Sequence, residues 1–160
     1  MKKILLIGGE GYIGNVVAHK LHGYGYGIIS YDNLIYKNHS CVTSKLPLEN
    51  YSFVFGDINN KNVLSSLIQE AYAVVLLAGL VGDPITKSYP HESSMINNIS
   101  VANVIDLCAS LEVNKFIFIS TCSNYGMIEN NELADENFDL NPLSSYAKSK
   151  VDAEKRILSF

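Results

Sequence analysis

The sequence predicts an α/β fold, a doubly wound parallel sheet of five strands with flanking helices. Three observations carry that prediction. Short apolar runs alternate with amphipathic helical stretches along the chain, the pattern of strands and covering helices. The first apolar run passes through a glycine cluster, Gly8-Gly9-Glu10-Gly11-Tyr12-Ile13-Gly14, into a helical pattern. The second run ends on an acidic residue, Asp32, 18 residues after Gly14. A chain of 160 residues reads as one domain, residues 1–160.

Taken in order, Lys3-Ile4-Leu5-Leu6-Ile7 is suited to a parallel strand covered on both faces. Ile13, Val16, Val17 and Leu21 have helical spacing, which predicts a helix over 11–23 with Gly23 at its C-cap. Further strands are expected near 26–31, 51–55, 73–78 and 115–120, and further helices near 60–70, 93–111 and 144–159. The segment from Asn33 to Asn50 contains Pro47 and shows no helical periodicity, so it reads as a long loop facing adenine or a neighbouring subunit. No internal repeat or low-complexity tract interrupts the pattern.

Apolar residues make up 48% of the chain and charged ones 18%, which excludes a disordered chain. At this length about 70% of the unfolded surface can be buried, enough for a proper core. The net charge of −4 argues against nucleic acid or an anionic membrane surface as partner. Met1-Lys2-Lys3 precedes an apolar run that Gly8-Gly9 stops at once, too short for a secretory h-region. No segment approaches transmembrane length, and a cytoplasmic location is the expectation. Cys41, Cys108 and Cys122 show no C-x-x-C spacing, and their odd number fits a reducing compartment. Cys108 falls in an apolar helical stretch and reads as core. His19 and His22 are three apart but no third ligand joins them, so surface histidines are expected and no metal site.

The glycine cluster joins a strand to a helix, the context in which glycines allow a tight turn and a close approach of backbone to a pyrophosphate. The helix N-terminus then stabilises the phosphate charge. The spacing is Gly8, Gly11, Gly14 rather than G-x-G-x-x-G. Two readings are open for Asp32: an acceptor for the adenosine ribose hydroxyls, or the start of a turn with Asn33. No Arg follows it and the nearest Lys is Lys37. A 2′-phosphate would meet Asp32 with little compensation, which favours NAD over NADP.

Near the end of the chain, Pro142-Leu143-Ser144-Ser145-Tyr146-Ala147-Lys148-Ser149-Lys150 places a phenol and an ammonium group four residues apart. On a helix they share a face. An adjacent positive charge favours a tyrosinate, although lowering a Tyr pKa from ~10 by about three units takes roughly 4 kcal/mol. One Lys does not supply that; a Lys together with a cationic cofactor ring is the arrangement that would. Ser120-Thr121-Cys122 follows the fifth strand, where open α/β sheets bind ligands. A hydroxyl there either orients a substrate oxygen or caps the backbone.

Six segments, in register, carry a resemblance. They are Gly8–Gly14, Tyr31-Asp32-Asn33-Leu34, Gly56-Asp57-Ile58, Leu77-Ala78-Gly79, Phe116–Gly126 and Pro142–Lys150. Together the chain resembles the N-terminal half of an extended short-chain dehydrogenase/reductase of the NAD-dependent epimerase/dehydratase family, whose members act on sugar nucleotides. The resemblance implies a Rossmann-like sheet and NAD held by Gly8, Gly11, Tyr12, Ile13, Gly14, Asp32 and Asn33. It also implies that Asp57 and Ile58 lie near adenine and that Ala78 and Gly79 line the path to the nicotinamide ribose. Asn97 best matches the family's structural Asn, with Asn98 as the other register.

For the chemistry, the resemblance implies Tyr146 as acid/base, Lys150 on the nicotinamide ribose and Thr121 positioning the substrate oxygen. The alternative for Tyr146 is a packed tyrosine on an amphipathic helix. The implied activity is that of an NAD-dependent sugar-nucleotide epimerase or related oxidoreductase. Dehydratases of the family carry Asp-Glu after the Thr; here those positions are Cys122 and Ser123, which argues against that chemistry.

The resemblance stops after the Tyr/Lys helix, so the family's C-terminal substrate domain is expected to be missing. A non-catalytic NAD-binding domain, or one subunit of a split enzyme with a separate chain supplying the substrate domain, is the competing expectation. Arg156 is the chain's single arginine, leaving few donors for bidentate capture of a diphosphate. The family's dimers pack the two helices expected at 93–111 and 144–159, which implies a homodimer. The acidic stretch from Glu129 to Asp139 reads as a solvated loop, or as a lid over the substrate.

Overall fold

The computed structural model describes residues 1–128 and 133–160. Five strands, β1 (Lys3–Ile7), β2 (Gly27–Asp32), β3 (Tyr51–Phe55), β4 (Ala73–Leu76) and β5 (Phe116–Phe118), form one sheet in the order β3-β2-β1-β4-β5. All four pairings are parallel. The chain winds outward from β1 to β3 and then returns to lay β4 against the other side of β1. That reversal is the switch point at which open α/β sheets bind ligands beyond their strand C-termini. The observed strands fall within two residues of the expected ones.

Residue contacts divide the chain into two compact units. The first joins Met1–Ala78 to Asp106–Ile119 and holds the whole sheet. Leu5, Leu6, Ile7, Val74 and Leu76 are buried almost completely, as strands covered on both faces require. On one face Ile4, Leu6, Ile28, Ala73 and Val75 pack with Ala18, and Val17 and Leu21 of α1 (Tyr12–Gly23) complete the cluster. Val17 and Leu21 are two of the four residues whose spacing predicted the helix; the other two, Ile13 and Val16, are exposed.

The C-terminus of α1 differs from the expectation. Gly23 is the last helical residue, and the left-handed residue is Gly25, at φ +84°. Tyr26 N donates to Leu21 O and Gly25 N to His22 O, the paired bonds of a Schellman motif. The expected loop over 33–50 also needs correction, since it contains a helix, α2 (His39–Lys45). Seven residues are too few to show a period, and α2 is held by tertiary bonds from Lys45 rather than by an apolar stripe. The next helix, α3 (Lys61–Glu70), starts where Asn60 accepts a hydrogen bond from Val63 N.

The second unit joins Gly79–Ile105 to Ser120–Phe160. It begins with α4 (Asp83–Ser88). Pro90 forces Tyr89 out of the helical region and so separates α4 from α5 (Pro90–Ser94). From α5 the helix continues through a π-helical stretch, Met95–Ser100, into α6 (Val101–Ser110), whose residues from Asp106 on belong to the first unit; together they cover the helix expected at 93–111. The 3-10 helix Cys122–Tyr125 and α7 (Ser145–Ile157) complete it.

Candidate functional site

The glycine turn begins where β1 stops. Gly8 has φ +86°, and a Cβ there would lie 2.6 Å from Ala78 N, so only glycine lets the turn pass between β1 and the end of β4. Gly14, in the first turn of α1, is buried, and a Cβ would lie 2.6 Å from Gly9 O. Gly11 is the N-cap and has no side chain to offer the helix. The first turn contains no acidic residue either. Its N–H groups therefore point outward without a capping partner, the geometry that receives an anion. Tyr12 is 90% exposed and Ile13 is 50% exposed, so their contribution to this turn is backbone. The turn fits a dinucleotide pyrophosphate.

Asp32 closes β2 beside that turn. Its Oδ2 accepts from Glu10 N at 3.0 Å and its Oδ1 from Leu34 N at 2.8 Å. The second bond is the turn role foreseen for Asp32. Each carboxylate oxygen keeps a further lone pair, so a ribose hydroxyl can be received as well. Asn33 starts a turn of its own, accepting from Ile35 N at 3.1 Å. After β3, Asp57 Oδ1 accepts from Asn59 N and Nδ2, both at 2.9 Å. Tyr31 donates its hydroxyl proton to Asp57 O at 2.7 Å. Burial, with the Asp57 charge adding to it, holds that phenol above its ordinary pKa. Ile58 is half-buried. The first unit thus gathers Gly8, Gly11, Tyr12, Ile13, Gly14, Asp32, Asn33, Asp57, Ile58 and Ala78.

Gly79, Asn97, Thr121, Tyr146 and Lys150 belong to the second unit. Asn97 is buried in the π-helical stretch, where its Oδ1 accepts from Leu80 N at 2.9 Å and its Nδ2 donates to Leu80 O at 2.8 Å. A Cβ on Gly79 would come within 3.1 Å of that amide oxygen. Asn98 is exposed. The clamp on the Leu80 backbone is a structural task, and it falls on Asn97.

α7 is set by Ser144, whose Oγ accepts from Ala147 N at 3.1 Å. Tyr146 is half-buried and Lys150 buried, with Lys150 Nζ 5.7 Å from the centre of the Tyr146 ring. Burial pushes the Tyr146 phenol above its ordinary pKa. It also lowers the Lys150 ammonium to about 8, with the Glu154 charge opposing the change. As the arithmetic of the pair requires, Lys150 alone does not bring the phenol down. α7 packs on the 3-10 turn that Thr121 opens. Thr121 Oγ1 accepts from Ser123 N at 3.2 Å, so the capping role is realised, and the hydroxyl proton is left to donate.

Three features escaped the sequence reading. Glu10, inside the glycine turn, is 1% exposed and bonded to Lys45. An acid within an anion-binding turn is itself a signal that a cation must lie behind it. Glu154 continues the Tyr146 and Lys150 spacing by one more turn, which the sequence does show. Asn124 is buried and donates to Glu154 Oε1 and to Ser120 Oγ, each at 3.1 Å; no periodicity marks it. Of the acidic stretch, Glu129 and Glu132 lie outside the described residues. Its later part is anchored, with Phe138 edge-on to Tyr125 at 6.0 Å and Asn141 N donating to Asn124 O.

Residues 4–160 match the NAD dependent epimerase/dehydratase family. A UDP-glucose 4-epimerase of Corynebacterium glutamicum is 28% identical over 160 residues, which cover 99% of this chain and 46% of that protein. The UDP-glucose 4-epimerase of Brucella ovis, solved in complex with NAD, superposes with a TM-score of 0.85 at 25% identity, covering 99% of this chain and 47% of the other. A dTDP-glucose 4,6-dehydratase of Bacillus anthracis, also solved with NAD, gives 0.85 at 31% identity over 99% of this chain and 50% of the other. The chain spans about half the length of the curated relatives it matches.

Proposed function

The chain belongs to the NAD dependent epimerase/dehydratase family, and from that premise we propose that it binds NAD and serves oxidoreduction at a hydroxyl carbon of a nucleotide sugar, in an epimerase-type reaction. The observation that carries this reading is α7, which presents Tyr146 and Lys150 on one buried face beside the Thr121 turn. Bound nicotinamide would supply hydride acceptance and return. Gly8, Gly11 and the backbone of Tyr12, Ile13 and Gly14 would hold the pyrophosphate, Asp32 and Asn33 the adenosine ribose, and Asp57 and Ile58 the adenine side. Ala78, Gly79 and Asn97 would border the nicotinamide end. Thr121 donates its proton to the substrate oxygen and orients it. Tyr146 exchanges a proton with the sugar hydroxyl, and Lys150 holds the nicotinamide ribose and biases the phenol toward its anion.

Cys122 and Ser123 follow Thr121 and are both exposed. A thiol and a hydroxyl do not offer the acid pair of the dehydratases, which favours epimerisation. We further place the protein in the cytoplasm as a homodimer built on the α5–α6 helix and α7; Cys41, Cys108 and Cys122 are all free thiols. The second reading, an NAD-binding chain that needs another polypeptide for substrate, is favoured by the single guanidinium, Arg156.

Calorimetry on the chain is expected to show NAD binding at least about tenfold tighter than NADP, because a 2′-phosphate meets the Asp32 carboxylate. Equal affinities would remove the role given to Asp32. With UDP- or TDP-hexoses the chain alone is expected to turn over weakly, and Tyr146→Phe to lower any turnover at least about a hundredfold. Robust turnover that survives Tyr146→Phe would overturn the assignment of the acid/base.

A further inference from the structure

Glu10 stands between Gly9 and Gly11, in the turn whose N–H groups are to receive a pyrophosphate. A carboxylate in that position opposes an anion. Its side chain is turned inward. Oε1 accepts from Ser30 Oγ at 2.5 Å and from the Tyr51 hydroxyl at 2.8 Å. Oε2 accepts from Lys45 Nζ at 2.8 Å, with both side chains fully buried. The ammonium spends its remaining protons on Asn15 Oδ1 and Cys41 O, each at 2.7 Å. The backbone of Glu10 is held as well: its N–H donates to Asp32 and its carbonyl accepts from Asn38 Nδ2 at 3.1 Å. One buried cation therefore joins the glycine turn, the first turn of α1 and α2 behind the carboxylate assigned to the ribose.

We propose that Lys45 is a positioning residue for the dinucleotide: it neutralises Glu10, so that a glycine turn carrying an acid accepts a pyrophosphate. The proposal rests on the NAD reading above. It separates Lys45 from an ordinary structural residue, because the effect of removing it depends on the charge of the ligand.

The test is calorimetry on the full chain with NAD and with adenosine, alongside thermal melts of the free proteins. Lys45→Met exposes the pyrophosphate to an unpaired Glu10 carboxylate. It is expected to weaken NAD at least about tenfold and adenosine less than about threefold. The double variant Glu10→Gln with Lys45→Met removes both charges and is expected to bind NAD within about threefold of the natural chain. A merely structural role would lower the melting temperature without separating NAD from adenosine. If Lys45→Met does not fold, the double variant decides, since a folded double variant that loses NAD tenfold overturns the proposal. Unchanged NAD affinity in Lys45→Met overturns it alone. A natural chain that fails to bind NAD overturns the cofactor reading and the proposal with it.

Discussion

Tyr146 and Lys150 respond to burial in opposite senses. Burial disfavours the charged form of each, which raises the phenol and lowers the ammonium. Neither shift has the other member of the pair as its cause. The lysine makes this measurable. Its folded pKa of about 8 lies below the model-peptide value of 10.5, so the unfolded chain binds the extra proton between those limits. Stability then rises with pH across that window, and the cost of burying the charged amine is fully present below it. The size is about 3 kcal/mol at one pKa unit per 1.36 kcal/mol. Denaturant melts of the ligand-free chain and of Lys150→Met should therefore converge as pH rises from 8 towards 10.5, the Met variant losing its relative advantage. A difference that stays constant with pH would show that Lys150 does not titrate there. Cys108, pushed up to about 12 by burial, is a core residue and not a nucleophile.

At the scale of elements, the ends of the helices do the positioning. α7 places Tyr146 because Ser144 stops the chain from extending and satisfies the Ala147 N–H. Ser144→Ala should destabilise the protein by about 1 kcal/mol, read from denaturant melts. In the opposite case, α1 begins on Gly11 without a side-chain cap, which leaves its N–H groups for a ligand. A side-chain cap is built into the helix that carries Tyr146 and Lys150 and omitted from the helix that follows the glycine turn. The π-helical stretch has its own reason: Ser100 Oγ donates to Met95 O at 2.9 Å and the widened turn aims Asn97 at Leu80. Such widened turns gather at functional sites, and here it fixes the backbone just after Gly79.

For the molecule as a whole, the sheet anchors the glycine turn, with Gly8 N donating to Tyr31 O at 2.8 Å. Leu6 is fully buried on β1, one residue before Ile7 delivers the chain to Gly8. Leu6→Ala is expected to cost about 3 kcal/mol, from lost transfer energy and the cavity left behind. NAD should then recover part of the lost stability by mass action, raising the melting temperature of the variant. A variant that melts like the natural chain would mean the core around β1 relaxes without a cavity. Among the described residues, no helix is long and apolar enough to cross a membrane.

The amino-acid sequence by itself determined the sheet, the order of its elements and the residues on both sides of the dinucleotide turn. These are local matters: the apolar runs of β1 and β4, the spacing of Val17 and Leu21, and the glycines whose missing side chains are visible in the letters. The residues placed on α7 were legible for the same reason, since a spacing of four is all that a helix needs to align Tyr146 with Lys150. What only the tertiary structure decided depends on partners distant in sequence. The helix at His39–Lys45 has no period to read and exists because Lys45 reaches a carboxylate 35 residues away. Gly25 rather than Gly23 takes the left-handed position because Gly23 is still helical and Tyr24 is the C-cap, so the chain reverses only at the residue after it. The direction of the Tyr146 and Lys150 shifts followed from burial, which no spacing encodes. Glu10 shows both sides: its place in the turn was written in the sequence, and the cation that neutralises it was not.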